Sequence, residues 1–71
     1  MPKFKPGDTG YTSTLCNRIV SVVVVERHKF HRTPPKYTVW WQGRRCGFID
    51  ECDLMTRDEA IIARLSGKTN A

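Results

Sequence analysis

Read for the spacing of its apolar positions, the chain divides into a strand-like body and one short helix. The strongest run is IVSVVVVE, residues 19–26, in which four consecutive valines carry apolar side chains to both faces of an extended segment. A strand covered on both sides is expected there. Ahead of it, TGYTSTL is rich in β-branched and aromatic residues and suits a first strand over about residues 9–15. Cys16, Asn17 and Arg18 form the turn between the two. Upstream again, Pro6 and Gly7 are turn formers, and Asp8 is placed to accept from nearby backbone N–H groups.

The next ten residues, RHKFHRTPPK from 27 to 36, combine two prolines with dense charge and predict a loop. YTVWWQ, residues 37–42, predicts a third strand and RCGFID, residues 45–50, a fourth. Gln42-Gly43-Arg44-Arg45 joins them as a hairpin. A short fifth segment from Glu51 to Met55 turns tightly before the pattern changes.

From residue 56 the period becomes helical. Thr56-Arg57-Asp58-Glu59 is a capping box, with Thr56 accepting from the third helical N–H and Glu59 reaching back. Asp58 and Glu59 also suit the positive end of a helix. Ile61, Ile62 and Leu65 form an apolar stripe with Ala60 beside it, and Gly67 supplies a stop, so a helix is expected over residues 57–66. So short a helix is unstable alone in water and must dock, with the valine strand as one seat for it. The tail, 67–71, is expected to be disordered.

Length and composition fit this outline. At 71 residues and 39% apolar content, the chain makes a single domain over 1–71, near the lower limit for a self-sufficient core. No apolar run approaches the roughly 18 residues of a membrane span. MPKFKPGD has no apolar signal segment, and three cysteines are an odd set for a disulfide framework. A reducing cytoplasm with free thiols is the expectation. The net charge of +5 is unevenly spread: residues 1–49 carry nine Lys and Arg against Asp8 and Glu26, whereas residues 50–71 carry three against five acids. A partner attracted by charge is therefore expected to meet the first two-thirds of the chain.

Four or five short strands with a long loop after the second make an antiparallel sheet that suits closure into a small barrel. The pattern KFKPGD, a valine-rich strand, YTVWW-QG and GFIDECDL resembles small SH3-like barrels, with similar frames in KOW and Tudor-type modules and in short phage and bacterial proteins. The resemblance covers about residues 3–54 and leaves the helix as an extension. It implies a mainly β fold: an SH3-like antiparallel barrel of about five strands over 3–55, followed by a short C-terminal α-helix. This fold hosts many unrelated activities and does not name one. The resemblance also implies that Tyr37, Val39 and Trp41 face inward, and that Ile49 and Leu54 belong to the core. Where such frames carry a polar residue before the tryptophan, this chain has Trp40.

Alternation along a strand then sends Thr38, Trp40 and Gln42 outward. Pairing Val39 with Ile49 across a three-residue turn at residues 43–45 sets Trp40 opposite Phe48 on the outer face. Two large exposed aromatics call for a cover or a ligand. The helix, a partner and a second copy of the chain, in a homodimer through this face, are the three candidates.

The candidate chemistry is that of binding. Arg27, Lys29, Arg32 and Lys36 make the 27–36 loop basic, His28 and His31 add charge at lower pH, and Phe30 sits among them. Cations interleaved with an aromatic suit an acidic protein surface or a nucleic-acid backbone with a base stacked nearby. The plain alternative is a solvated loop that keeps the protein soluble. Arg44 and Arg45 at the hairpin tip extend the basic set. His28 and His31 with Cys46 and Cys52 lack the close ligand pairs of structural zinc sites, so no metal is expected, and Cys16 and Cys52 read as small buried or half-buried residues. Nor is a cofactor expected. Asp50, Glu51 and Asp53 serve capping and solubility, and no nucleophile signature or phosphate loop is present. Plasmid-encoded trimethoprim-resistant dihydrofolate reductases share the size and barrel, but their Val-Gln-Ile-Tyr run is replaced here by Gly47-Phe48-Ile49-Asp50, so their pore-based activity does not carry over.

The reading is a small basic binding module rather than an enzyme. It would hold an acidic macromolecule through Arg27, Lys29, Phe30, Arg32, Lys36, Trp40, Arg44, Arg45 and Phe48, as in a phage-type protein attached to a host protein. The alternatives are a nucleic-acid-binding barrel and an oligomeric reductase-like enzyme with a central pore. No membrane partner is expected.

Overall fold

A computed structural model describes residues 3–66. Within them, β1 (Thr9–Thr12), β2 (Val20–His28), β3 (Lys36–Trp41) and β4 (Arg44–Asp50) form one antiparallel sheet in that order. A 3-10 turn (Glu51–Asp53) and helix α1 (Arg57–Leu65) follow. The fold is thus mainly β with a short C-terminal helix, as the apolar pattern predicts. The expected tail and the Gly67 stop lie outside the described residues.

Four strands form rather than five. Glu51, Cys52 and Asp53 curl into the 3-10 turn, Leu54 drops into the core with no exposed surface, and Thr56 already caps α1. Only Met55 is left to extend. It makes a single antiparallel bridge with Tyr11, in which each residue's N–H donates to the other's carbonyl at 2.9 and 2.7 Å.

The core consists of Phe4, Val22, Val24, Tyr37, Val39, Ile49 and Leu54, with Trp41, Cys46, Leu15 and Val20 packed half-buried against it. Phe4 meets Tyr37 edge to face at 5.8 Å. Val22 and Val24 are inside and Val23 is outside, so this part of the valine run alternates, with one covered face instead of two. Trp41, expected in the core, is half-buried, because it is the last residue of β3 and faces Arg44 beside the turn.

Two bulges decide which side chains point where. In β2, Val24 pairs with Val39 but Glu26 pairs with Thr38, so Val25 is an extra residue. In β4, Cys46 pairs with Val39 but Ile49 pairs with Tyr37, so Gly47 and Phe48 together face Thr38. Each extra residue reverses the alternation beyond it. The first turns Arg27 toward Tyr37 on the inner face and His28 outward. The second returns Ile49 to the core.

The β3–β4 turn has two residues, not three. Gln42 and Gly43 both have positive φ, 50° and 78°, the combination that a tight primed turn needs and that glycine adopts without a Cβ clash. This sets Trp40 opposite Arg45 and Val23, which overturns the expected Trp40–Phe48 pair.

Helix α1 carries the expected capping box: Glu59 N–H donates to Thr56 Oγ1, and Thr56 N–H donates to Glu59 Oε1. Its seat differs from the expected one. It packs beside β1 with Ala60 buried, while Ile61, Ile62 and Leu65 remain 46%, 65% and 82% exposed. The reason is chain length: α1 starts just after Met55 is held against Tyr11, so its first turn lands next to β1. It does not lie over the valine strand or the outer aromatics.

Candidate partner-binding face

The outer face is built around Thr38, which is only 9% exposed although its strand position points it away from the core. His28 and Gly47 cover it. His28 Nε2 lies 2.8 Å from Thr38 Oγ1, and a Cβ on Gly47 would come within 3.0 Å of the same oxygen. Glycine is the residue that lets β4 approach this closely.

Around His28 stands an aromatic cluster. Phe48 meets its ring edge-on at 4.6 Å, Phe30 stacks at 6.2 Å with an 18° interplanar angle, and the two phenyl rings are 6.1 Å apart. Phe48 is 60% and Phe30 41% exposed, so the cluster rests on the sheet and is open to solvent. Two positions further along β3, Trp40 is 46% exposed between Val23 and Arg45. Apolar side chains this exposed, and this close together, mark an interaction surface more often than a solubility feature.

The cations are distributed differently from the expected patch. Arg27 and His28 lie in β2 and Lys36 in β3, so the connecting loop is only 29–35, with Lys29, His31 and Arg32 exposed on it. Lys36 is paired with Asp50. Arg27 points inward and its buried Nε has no hydrogen-bond partner among the described residues, so it does not belong to the loop's exposed charge. Arg44 and Arg45 sit at the far end of β3 from the loop, about 17 Å along a six-residue strand. Arg45 nevertheless points onto the outer face, where its Nη2 lies 3.8 Å from Glu26 Oε1. The surface therefore runs from Lys29, Phe30 and Arg32, across His28 and Phe48, to Trp40 and Arg45.

Sequence reasoning missed Thr38, Val23 and the anchoring role of His28. The sequence carries no clear signal for them, because the turn of His28 to the outer face follows from a bulge that only the pairing of β2 with β3 sets.

On the inner side, Tyr37 donates from its hydroxyl to Glu51 Oε2 at 2.7 Å and accepts from Phe4 N–H at 3.3 Å. The Tyr37 hydrogen bond holds the Glu51 carboxyl below the usual carboxylate range, assisted by Lys3 and Arg27. Burial raises the Tyr37 phenol above its ordinary value, and the bond to Glu51 adds to this. The arrangement ties the N-terminal segment, β3 and the 3-10 turn together.

The cysteines are free thiols, and Cys52, expected to be at least half-buried, is exposed on the 3-10 turn. Asp50, Cys52 and Asp53 bring their ligating atoms within 4.8 Å of one another, a set distinct from the His28, His31, Cys46 and Cys52 grouping considered from sequence. No described helix is long and apolar enough to cross a membrane. Compared with known protein families, with curated proteins and with solved structures, the chain matches none.

Proposed function

We propose that this protein is a small SH3-like barrel of the KOW and Tudor type that works as a binding module, not an enzyme, in a reducing cytoplasm. The Tyr11–Met55 bridge supports the barrel reading, because it joins the segment after the 3-10 turn to the first strand. In this reading the fifth strand is reduced to one residue. The module attaches to an acidic macromolecule through its outer face, as a phage-type protein does to a host protein.

One observation carries the functional reading: Phe30, Phe48 and Trp40 remain exposed on a face that α1 leaves uncovered, with Lys29, Arg32 and Arg45 along the same surface. Aromatic rings supply contact area at low entropic cost, and the cations supply attraction and orientation.

The test is a titration of the full chain with polyglutamate and with single-stranded DNA, followed by tryptophan fluorescence at several salt concentrations. Binding to polyglutamate that weakens with salt and is lost in Phe48→Ala supports a protein-directed module. A steeper salt slope with preference for DNA makes it a nucleic-acid-binding barrel. No binding to either polymer removes the acidic-partner reading.

A further inference from the structure

We propose that the depression between α1 and β1 is a second binding site, specific for a residue-sized aliphatic group that carries one carboxylate. Tyr11, Arg57, Ala60, Ile61 and Arg64 line it, and it encloses about 230 Å³. Sites for drug-sized ligands span about 300–1,000 Å³, so this one suits a somewhat smaller group.

The lining sets the chemistry. Ala60, Ile61 and Tyr11 contribute apolar surface to it, and Arg57 and Arg64 are its two charged residues. The two arginines are seven residues apart on α1, about two turns, and so lie on one flank of the helix. Among the described residues neither makes an ion pair, whereas Glu59 on the same helix is joined to Lys3. Guanidinium forks match the planar carboxylate with two parallel hydrogen bonds, and Tyr11 adds a hydroxyl donor. Asp58 and Glu59 stand in the first turn of the same helix but are not among the residues that line the depression. Inorganic phosphate offers the arginines charge without an aliphatic part to cover the apolar lining, so it is the control for charge alone. The site adjoins β1, at the opposite margin of the sheet from β4, and does not rest on the outer-face reading.

An NMR titration of the isotope-labelled full chain decides it. The probes are 4-methylpentanoate and the peptide acetyl-Gly-Gly-Leu with a free C-terminus. Their amides and inorganic phosphate serve as controls. Both carboxylates are expected to give saturable shifts of the Ile61 methyls and the Arg57 and Arg64 side-chain signals, with a Kd on the order of 1 mM for so few atoms. The amides bind at least about tenfold more weakly, and Arg57→Gln and Arg64→Gln each weaken the carboxylates about tenfold. Unchanged Val24 and Leu54 signals certify that both variants fold. Tighter binding of the peptide than of the free acid assigns the ligand to a polypeptide terminus, and equal binding assigns it to a small acid. Absence of saturable shifts, equal binding of amide and acid, equal binding of inorganic phosphate, or affinity that survives both substitutions overturns the proposal.

Discussion

His28 Nε2 sits 2.8 Å from Thr38 Oγ1, and this bond fixes the ring against which Phe30 and Phe48 are arranged. The hydroxyl of Thr38 is therefore expected to organise the aromatic cluster from beneath. Thr38→Val keeps the shape and removes the bond, which costs about 1 kcal/mol in a denaturant titration. The same variant should show altered His28 and Phe48 ring signals by NMR while the core signals of Val22 and Leu54 stay in place. Unperturbed ring signals would mean that packing alone holds the cluster.

The loop cations Lys29 and Arg32 should separate from Arg27 by phenotype. Lys29 and Arg32 are exposed on the loop, so replacing both by Ser is expected to leave the melting temperature within about 2 °C while reducing affinity for an acidic polymer and flattening its salt dependence. Arg27 points inward beside Tyr37 and Glu51, so Arg27→Ser is expected to destabilise by about 1–3 kcal/mol with little change in salt slope. Equal effects of the two changes on binding would return Arg27 to the outer face.

That separation shows where the sequence was legible and where it was not. The capping box at Thr56 and Glu59, the four strands and the outward Trp40 follow from local chemistry and period, which a single chain displays. Each bulge, by contrast, is a property of two paired strands. Nothing in VVVVERH alone says that Val25 is the extra residue, yet that one residue decides whether Arg27 or His28 faces solvent. The same limit applies to Phe48: setting Val39 opposite Ile49 places it beside Trp40, whereas the two-residue turn and the bulge place it opposite Thr38. The seat of α1 depended on where Met55 is tied, again a contact between distant parts of the chain.

Acid sensitivity should follow Glu51. Its folded pKa is depressed, chiefly by the Tyr37 hydroxyl, so the folded chain binds fewer protons than the unfolded one below the ordinary carboxylate range. The resulting stability is complete above the unfolded pKa, about 4.3, and is lost as pH falls through the folded value. Glu59, depressed by the Thr56 backbone N–H and by Lys3, contributes in the same direction. Tyr37→Phe should therefore flatten, without abolishing, the fall in urea midpoint between neutral and acid pH. A slope equal to that of the parent would show that Glu51 is not held by Tyr37.

Removing apolar atoms from α1 should matter less than a buried stripe would suggest. Ile62 and Leu65 are largely exposed, so Ile62→Ala and Leu65→Ala are each expected to shift stability by no more than about 0.5 kcal/mol. Ala60 is 6% exposed, and Ala60→Asp places an unpaired carboxylate against β1, which should cost at least about 2 kcal/mol. Truncation after Met55 loses the Ala60 contact and the Lys3–Glu59 pair and should lower the melting temperature measurably. A melting temperature equal to the full chain's would show that α1 is undocked.

The adjacent tryptophans give the sharpest contrast. Trp41 packs half-buried against the core, whereas Trp40 is 46% exposed between Val23 and Arg45. Full burial would make truncation to alanine cost about 3–5 kcal/mol, and half-burial reduces this to about 2–3 kcal/mol. Trp41→Ala is therefore expected to remain folded at low temperature with a clearly lowered denaturant midpoint, the loss being a large part of so small a domain's stability. Trp40→Ala should cost under about 1 kcal/mol, because α1 lies beside β1 and provides no cover. Its effect should appear instead in binding to an acidic polymer, where loss of an exposed aromatic anchor weakens affinity about tenfold. Paired denaturation and fluorescence-independent binding measurements, such as calorimetry, check both halves. A Trp40→Ala protein with full affinity removes Trp40 from the binding face, and equal destabilisation by the two variants contradicts the strand register that turns one tryptophan in and the other out.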